Sequence, residues 1–515
     1  MLYRARDVLG LRACVFEAGD GVGGTWFWNR YPGARCDSES FYYCYSFSEE
    51  LSQEWTWTSK YPEQPEILRY LEHVADRFDL RRDIQLGTRV VGARFDDAAD
   101  RWEVETSRGD RVSARFLISA VGCLSSANVP EIPGLGRFEG NWYHTGAWPH
   151  ERVDFRGKRV GLIGTGSTGI QATPVIAAEA DHLTVFQRTP NYSVPARNAP
   201  LTEEELRKIR THYAEIWKRA RDSFGGFPYQ RVERSAFEVD DEEREQIYDQ
   251  LWQDGGFKFM WGSFNDLLFN KEANDTAAEF IRRKIRETVK DPDVAARLTP
   301  TDHPFGTKRP PIDTDYFETF NRDNVSLVDL RESPIVEITP RGIRTEAKEY
   351  ELDVIVFATG FDAMTGSLLR MDIRGVGGRS LREKWSEGPK TYLGLQIAGF
   401  PNFFTITGPG SPSVLSNMPV SIEQHVEWIS ACIEYMRAHG STRIEATEKA
   451  EEEWVEHVRQ VADLTLFPRA SSWYLGANIP GKKRVFMPYV GGLLPYRERC
   501  DEVARRGYEG FDLRP

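Results

Sequence analysis

Between Pro65 and Phe78, apolar residues fall at 67, 68, 71, 74, 75 and 78, a spacing that predicts an amphipathic helix. A second such stripe (Leu206, Ile209, Tyr213, Ile216) follows the capping box Thr202-x-x-Glu205. A third runs through Ile422, Val426, Ile429, Ile433 and Met436, with Ser421-x-x-Gln424 predicted to cap its start and Gly440 to stop it. Elsewhere the apolar positions form short unbroken runs: Ala13 to Phe16, Phe116 to Gly122, Lys158 to Ile163, Leu183 to Gln187, Val354 to Gly360 and Asn402 to Thr407. Such runs read as buried strands, and strands alternating with helices predict an α/β chain. Residues 200–300 break the alternation with charged helices punctuated by Gly225-Gly226 and Gly255-Gly256, which predicts a helical insertion walling a cleft.

The run Lys158 to Ile163 leads into Gly164, Gly166 and Gly169, and Ile170 to Ala178 continues as an apolar helix. Pro174 is expected in the first turns of that helix, where a missing amide is best tolerated. Three glycines so spaced give a tight turn, close approach to a pyrophosphate, and packing of helix on strand. Phosphates would sit on the free amides at the helix N-terminus. The next strand ends at Arg188, 19 residues beyond Gly169. An acid there would bind the ribose of NAD; an arginine suits the 2′-phosphate of NADP. The bland alternative is a glycine turn with an ordinary surface arginine.

The same spacing applied to the N-terminus makes Glu17 the ribose-binding acid of a first unit, and its glycine loop would then precede Met1. The chain is expected to begin inside the helix that follows such a loop. Gly21-Val-Gly23-Gly24-Thr-Trp26 and Asn29 to Asp37 set glycines beside aromatics, suited to a large flat cofactor. The predicted fold is therefore α/β, with two Rossmann-like dinucleotide-binding domains and a helical insertion. Residues 1–124 and 352–515 are assigned to the first domain, 125–199 and 301–351 to the second, and 200–300 to the insertion. Strands from both ends of the chain would join one sheet.

Composition removes several classes. A net charge of −12 over 515 residues disfavours a nucleic-acid partner. No run of ~18 apolar residues exists to span a membrane. Six cysteines at irregular intervals, with no Cys-x-x-Cys pair, argue against a metal site or disulfide framework and for free thiols in the cytoplasm. The first residues lack a signal-peptide pattern. No feature specifies an oligomer.

Two motifs carry the chemistry. Phe138, Gly140, His144, Trp148 and Pro149 fit Phe-x-Gly-x-x-x-His-x-x-x-Trp-Pro just ahead of the second glycine loop. Gly24, Trp26, Tyr31, Pro32, Gly33 and Asp37 fit a second pattern in the first unit. With Pro304 to Arg309, Gly408 to Met418 and Ser472 to Asn478, they make the chain resemble the type I Baeyer–Villiger monooxygenases, nearest the phenylacetone and steroid monooxygenase branch.

The resemblance implies FAD and NADPH as cofactors, a small-molecule ketone and O2 as substrates, and an ester or lactone as product, by way of a flavin C4a-peroxide. Arg309 would be the active-site arginine and Asp37 its carboxylate partner, both also beside the cofactors. Glu17, Gly24, Trp26, Tyr43, Val90 and Met418 would contact FAD. Thr165, Gly166, Ser167, Thr168, Gly169, Ile170, Gln171, Arg188, Thr189, Lys308 and Trp473 would hold NADP. His144, in the linker motif, would couple domain movement rather than transfer a proton. A fixed guanidinium suits such chemistry because it gives up no proton at neutral pH. Val414 and Leu415 would influence which ketones fit.

Three other readings stand beside this one. An N- or S-oxygenase of the same flavoprotein class usually lacks the Trp-Pro ending. A nucleotide-binding remnant unable to hold FAD is suggested by the absent first loop. A plain NADPH oxidase is the third.

Overall fold

The computed structural model describes residues 1–230 and 232–515. In chain order the first unit contributes β1 (Val15–Phe16), α1 (Gln64–Arg77), β2 (Ile84–Gln85) and β3 (Leu117–Ser119). The second contributes β4 (Asn141–His144), β5 (Arg159–Ile163), α2 (Ser167–Glu179) and β6 (His182–Gln187). Helices α3 (Glu203–Arg221), α4 (Asp241–Asp254) and α5 (Lys271–Thr288) follow. The chain then returns with β7 (Val325–Asp329), β8 (Val354–Phe357), β9 (Phe403–Thr405) and α6 (Met418–Ala438).

The second unit is organised by a five-stranded, all-parallel sheet of order β7-β6-β5-β8-β4. Every residue of β8 is buried, because it lies between β5 and β4 with both faces covered, and its sequence is accordingly an unbroken apolar run. Strand order reverses between β5 and β8, the crevice where open α/β sheets bind ligands. Helix α2 closes onto β5 where Gly169 meets the loop: a Cβ there would lie 2.1 Å from the Gly164 carbonyl oxygen.

In the first unit β1 pairs in parallel with β2, and β3 with β9. An antiparallel sheet of Val90–Asp96, Arg101–Thr106 and Arg111–Ala114 is extended by Asp372–Arg374. The helices of 200–300 bury an aromatic core with Tyr248, Phe259 and Phe280 against the second unit. The Thr202–Glu205 capping box forms as the sequence predicts.

Several expectations fail in detail. Strand β8, assigned with 352–515, pairs with β5 and so belongs to the second unit; the crossing comes after it. The β1–β2 and β3–β9 pairs are not joined by strand pairing among the described residues; Phe16 and Leu117 each pack against the same hydrophobic core. Helix α6 starts at Met418 with Asn417 as cap, so Ser421 and Gln424 lie inside it, where the buried Ser421 hydroxyl pairs with that of Ser416 at 2.6 Å. Pro174 sits in the middle of α2, eight residues in, and leaves the Ile170 carbonyl without its usual amide donor.

Candidate active site

A cavity of about 1670 Å³ opens at the carboxyl ends of both units' strands. Ordinary small-molecule pockets measure roughly 300–1,000 Å³, so more than one ligand fits. Gly164 to Thr168 after β5 and Ala358 to Phe361 after β8 form one side, and Glu17 after β1, Ala120 to Cys123 after β3 and Ile406-Thr407 after β9 form the other. Met1 to Arg4 also line it.

Three glycines face open space. A Cβ on Gly24, Gly166 or Gly360 would find no protein atom within 4 Å, as a ligand-approach surface requires. Buried acceptors along the wall are unpartnered: Asn191 Oδ1, Ser472 Oγ and Asn478 Oδ1. No side chain caps the N-terminus of α2, so its first amides are available to an anion. The residues present therefore fit two dinucleotides, one on each unit. Glu17 already accepts a hydrogen bond from the Gly19 amide at 2.7 Å, which fixes its carboxylate at the rim.

Arg309 and Asp37 meet in this cavity. Nε of Arg309 lies 3.5 Å from Oδ2 of Asp37, and the guanidinium stands 5.0 Å over the Phe257 ring. Pro310 and Pro311 follow Arg309 and favour extended backbone before them. Its side chain is 31% exposed into the cavity, while Asp37 is almost closed off at 7%. Burial pushes the Asp37 carboxyl above its ordinary value, against the pull of Arg309 and of the Gln171 amide, which donates to Oδ1 at 3.1 Å. Burial acts to lower the Arg309 pKa, but Asp37, Tyr474 and Cys36 together hold it above its ordinary value.

Arg188 lines the cavity beyond α2, exposed and without an ion pair among the described residues. Lys308 stands near it: burial lowers the Lys308 pKa first, Asp302 opposes this at 4.0 Å, and Arg188 lowers it further. Two cations thus stand together in the cavity that the Thr165–Thr168 loop also lines, an arrangement suited to a phosphate ester.

Thr407 on the far wall, and Ser413 behind it, hold positive φ despite carrying side chains, at 56° and 41°. Strain of this kind needs support. The Thr407 amide donates to Nδ1 of the fully buried His425 at 2.9 Å. Burial drives the His425 pKa down to about 3, so it stays neutral and that acceptor persists. Tyr496 donates to the Leu393 carbonyl, so Nε2 of His425 carries the proton and donates to the Tyr496 oxygen.

Of the residues named from sequence, Glu17, Gly24, Trp26, Asp37, Tyr43, Thr165, Gly166, Ser167, Thr168, Gln171, Arg188, Thr189, Lys308, Arg309, Met418 and Trp473 line the cavity. Val90, Gly169 and Ile170 do not. Val90 packs in the first unit's antiparallel core, Ile170 is 1% exposed on the buried face of α2, and Gly169 faces the Gly164 backbone. None of the linker residues lines the cavity either. Phe138 packs beneath the second sheet, Trp148 is buried against Tyr143 and Phe155, and Gly140 abuts the Asp353 carbonyl. Pro149 edges a shallow surface recess. His144 ends β4, accepts from the Gly146 amide at 3.0 Å, and leaves Nε2 buried without a partner. Tyr31 stands in the second motif without a role assigned to it, and Phe257 escapes sequence reasoning altogether, because a ring under a guanidinium 52 positions away leaves no spacing signal.

A family model described as pyridine nucleotide-disulphide oxidoreductase matches residues 37–271. A Baeyer-Villiger monooxygenase of Pseudooceanicola batsensis is 46% identical over 509 residues, 98% of this chain and 92% of the relative. A solved structure, an oxidized steroid monooxygenase bound to NADP, superposes with TM-score 0.95 at 54% identity, covering 99% of this chain and 97% of that one. The chain belongs to the Baeyer–Villiger monooxygenase family. A phenazine N-monooxygenase of Lysobacter antibioticus is also similar, 45% identical over 515 residues, all of this chain and 94% of the relative. As a Baeyer–Villiger monooxygenase, the chain has an α/β fold with an FAD and an NADP domain. Among the described residues no helix is long and apolar enough to cross a membrane, and no acid, cysteine or histidine cluster could hold a metal.

Proposed function

We propose that this chain oxidises ketones to esters or lactones with O2, using FAD and NADPH. The observation that carries the reading is the Arg309–Asp37 pair inside a cavity shared by two glycine-lined units. When bound, NADPH supplies hydride to FAD, and reduced FAD supplies the activation of O2.

The chain's own residues supply placement and charge. Glu17, Gly24, Trp26, Tyr43 and Met418 would hold FAD; Thr165 to Thr168, Arg188, Thr189, Lys308 and Trp473 would hold NADP. Arg309 is a permanent cation with no acidic proton at working pH, so it can stabilise negative charge developing on the ketone oxygen without quenching it. A preorganised donor of this kind contributes on the order of 3–4 kcal/mol to the barrier. Asp37 holds the guanidinium and balances its charge, since one uncompensated buried charge costs about 3–5 kcal/mol. Apolar walls from Phe227, Phe361 and Val414 exclude water from the same space. The linker residues Phe138, Gly140, His144, Trp148 and Pro149 serve the junction between units. Six unpaired cysteines suit a reducing cytoplasm.

A second reading, N-oxygenation of a heteroaromatic, is supported by the 45% identity to the phenazine N-monooxygenase. The FAD-loaded enzyme offered a cyclic ketone, an aryl ketone and phenazine together with NADPH tests both. Ester or lactone as the main product supports the first. N-oxide with no ester would replace it by the second.

A further inference from the structure

Gln171 lies on α2 of the second unit, whereas Tyr31, Arg35 and Asp37 belong to the first, and its side-chain amide is wholly committed to that segment. Oε1 accepts from the Tyr31 hydroxyl at 2.7 Å and more weakly from the Arg35 amide at 3.5 Å. Nε2 donates to the Arg35 carbonyl at 3.2 Å and to Oδ1 of Asp37 at 3.1 Å. Two acceptor sites and two N–H groups are all that a primary amide offers. A carbonyl and a carboxylate can only accept, so they fix which end of the amide faces them, and Tyr31 is left to donate. Gly33 brings the same segment against the helix, close enough that a Cβ would sit 2.4 Å from the Gln171 carbonyl oxygen. The two oxygens of Asp37 are thereby divided: Oδ1 goes to Gln171 and Oδ2 faces Nε of Arg309.

We infer that Gln171 and Tyr31 are positioning residues for the Asp37–Arg309 pair, with Tyr31 anchoring the amide and the amide aiming the carboxylate. This rests on the proposed function of that pair. The Gln171 side chain, taken from family resemblance as an NADP contact, instead links the helix beside the nucleotide loop to the charge that does the chemistry. Tyr31 is 7% exposed and keeps its ring packing in Tyr31→Phe, so that variant removes one hydroxyl and little else.

The test compares the FAD-loaded wild type with Tyr31→Phe, Gln171→Leu and the double variant. Three quantities are read: ester formed per NADPH consumed, NADP⁺ affinity from the flavin difference spectrum, and melting temperature. Loss of one neutral hydrogen bond predicts about a 5-fold fall in ester per NADPH for Tyr31→Phe. Gln171→Leu should fall about 10-fold or more, and the double variant no further, since the hydroxyl acts through the amide. NADP⁺ affinity should stay within about 2-fold of wild type throughout. Unchanged coupling in Tyr31→Phe, effects that multiply in the double variant, or a Gln171→Leu defect confined to NADP⁺ binding would each overturn the inference. A wild type that forms no ester sinks the proposed function and this inference together. Wild-type ester formation beside an unaffected Tyr31→Phe sinks the inference alone.

Discussion

Oδ2 of Asp37 stands 3.5 Å from Nε of Arg309, yet the carboxylate is buried while the guanidinium keeps nearly a third of its surface open to the cavity. Under the proposed function this asymmetry would divide the work: the buried carboxylate would act as support and the charged guanidinium would face the reactants. Arg309→Ala and Arg309→Lys should both leave bleaching of the flavin by NADPH intact. Each should reduce ester formation by about 10²–10³-fold, the usual loss for a preorganised electrostatic group. Stopped-flow absorbance and product chromatography on one preparation separate the two steps. Lysine fails because it offers a flexible point charge where a planar fork is held by Asp37 and Phe257.

Asp37 must be ionised to hold that fork. Because burial raises its pKa from 3.8, activity should fall at a pH higher than an ordinary carboxylate would dictate. The pH–rate profile of ester formation should show this acid limb, and Asp37→Asn should lower the plateau and abolish the limb. An unshifted limb in Asp37→Asn would assign it to another group.

Arg188 has no ion pair among the described residues and is exposed beside the nucleotide loop. Arg188→Ala should reduce the preference for NADPH over NADH by about 10–100-fold, the value of one or two charge-assisted contacts. The readout is kcat/KM for each cofactor, with stability unchanged. Equal preference in wild type and variant would remove the assignment.

Two glycines of one loop should behave oppositely. Gly166 has φ −83°, and a Cβ there meets only open space, so Gly166→Ala should fold normally and weaken NADP⁺ binding. At Gly169 a Cβ would approach the Gly164 carbonyl oxygen to 2.1 Å, so Gly169→Ala should destabilise the protein by about 1–3 kcal/mol. Thermal melts with and without NADP⁺ distinguish them.

His425 makes an acid-stability prediction with a definite sign. Its pKa falls from 6.5 to about 3 on folding, so the unfolded chain takes the proton first. Its contribution is complete above pH 6.5 and is lost on acidification between 6.5 and about 3, at up to about 1.4 kcal/mol per pH unit. Denaturant midpoints across that window should fall more steeply for wild type than for His425→Asn. Parallel slopes would refute the linkage.

What the sequence made legible followed periodicity and local chemistry. The Thr202 capping box needs only neighbouring residues, and strands β5, β6 and β8 are buried on both faces and read as apolar runs. Helix α6 was misplaced at its start because Asn417, its cap, makes no side-chain capping bond, while Ser421-x-x-Gln424 imitates a cap within the helix. Strand β8 was assigned to the wrong unit because an apolar run does not state its partner; pairing with β5 is set by residues 194 positions away. At the site, the positions of Arg309 and Asp37 came from motif resemblance. Their contact spans 272 residues, and no local rule predicts it.

The chain passes between its two units at 120–140 and again after β8, and these passages are laced together. The Asn128 amide donates to the Gly360 carbonyl, the Asp362 amide to the Ser126 carbonyl, and the Thr359 hydroxyl to the Asn128 carbonyl. Ala127 and Phe361 pair in antiparallel fashion between them. A doubled ribbon can flex like a strap but resists shear, because sliding one strand past the other breaks its bonds as a set. Any reorientation of the units would have to bend this strip, which carries Gly360 at the cavity wall, so the joint lies beside the cavity instead of at a distant tether.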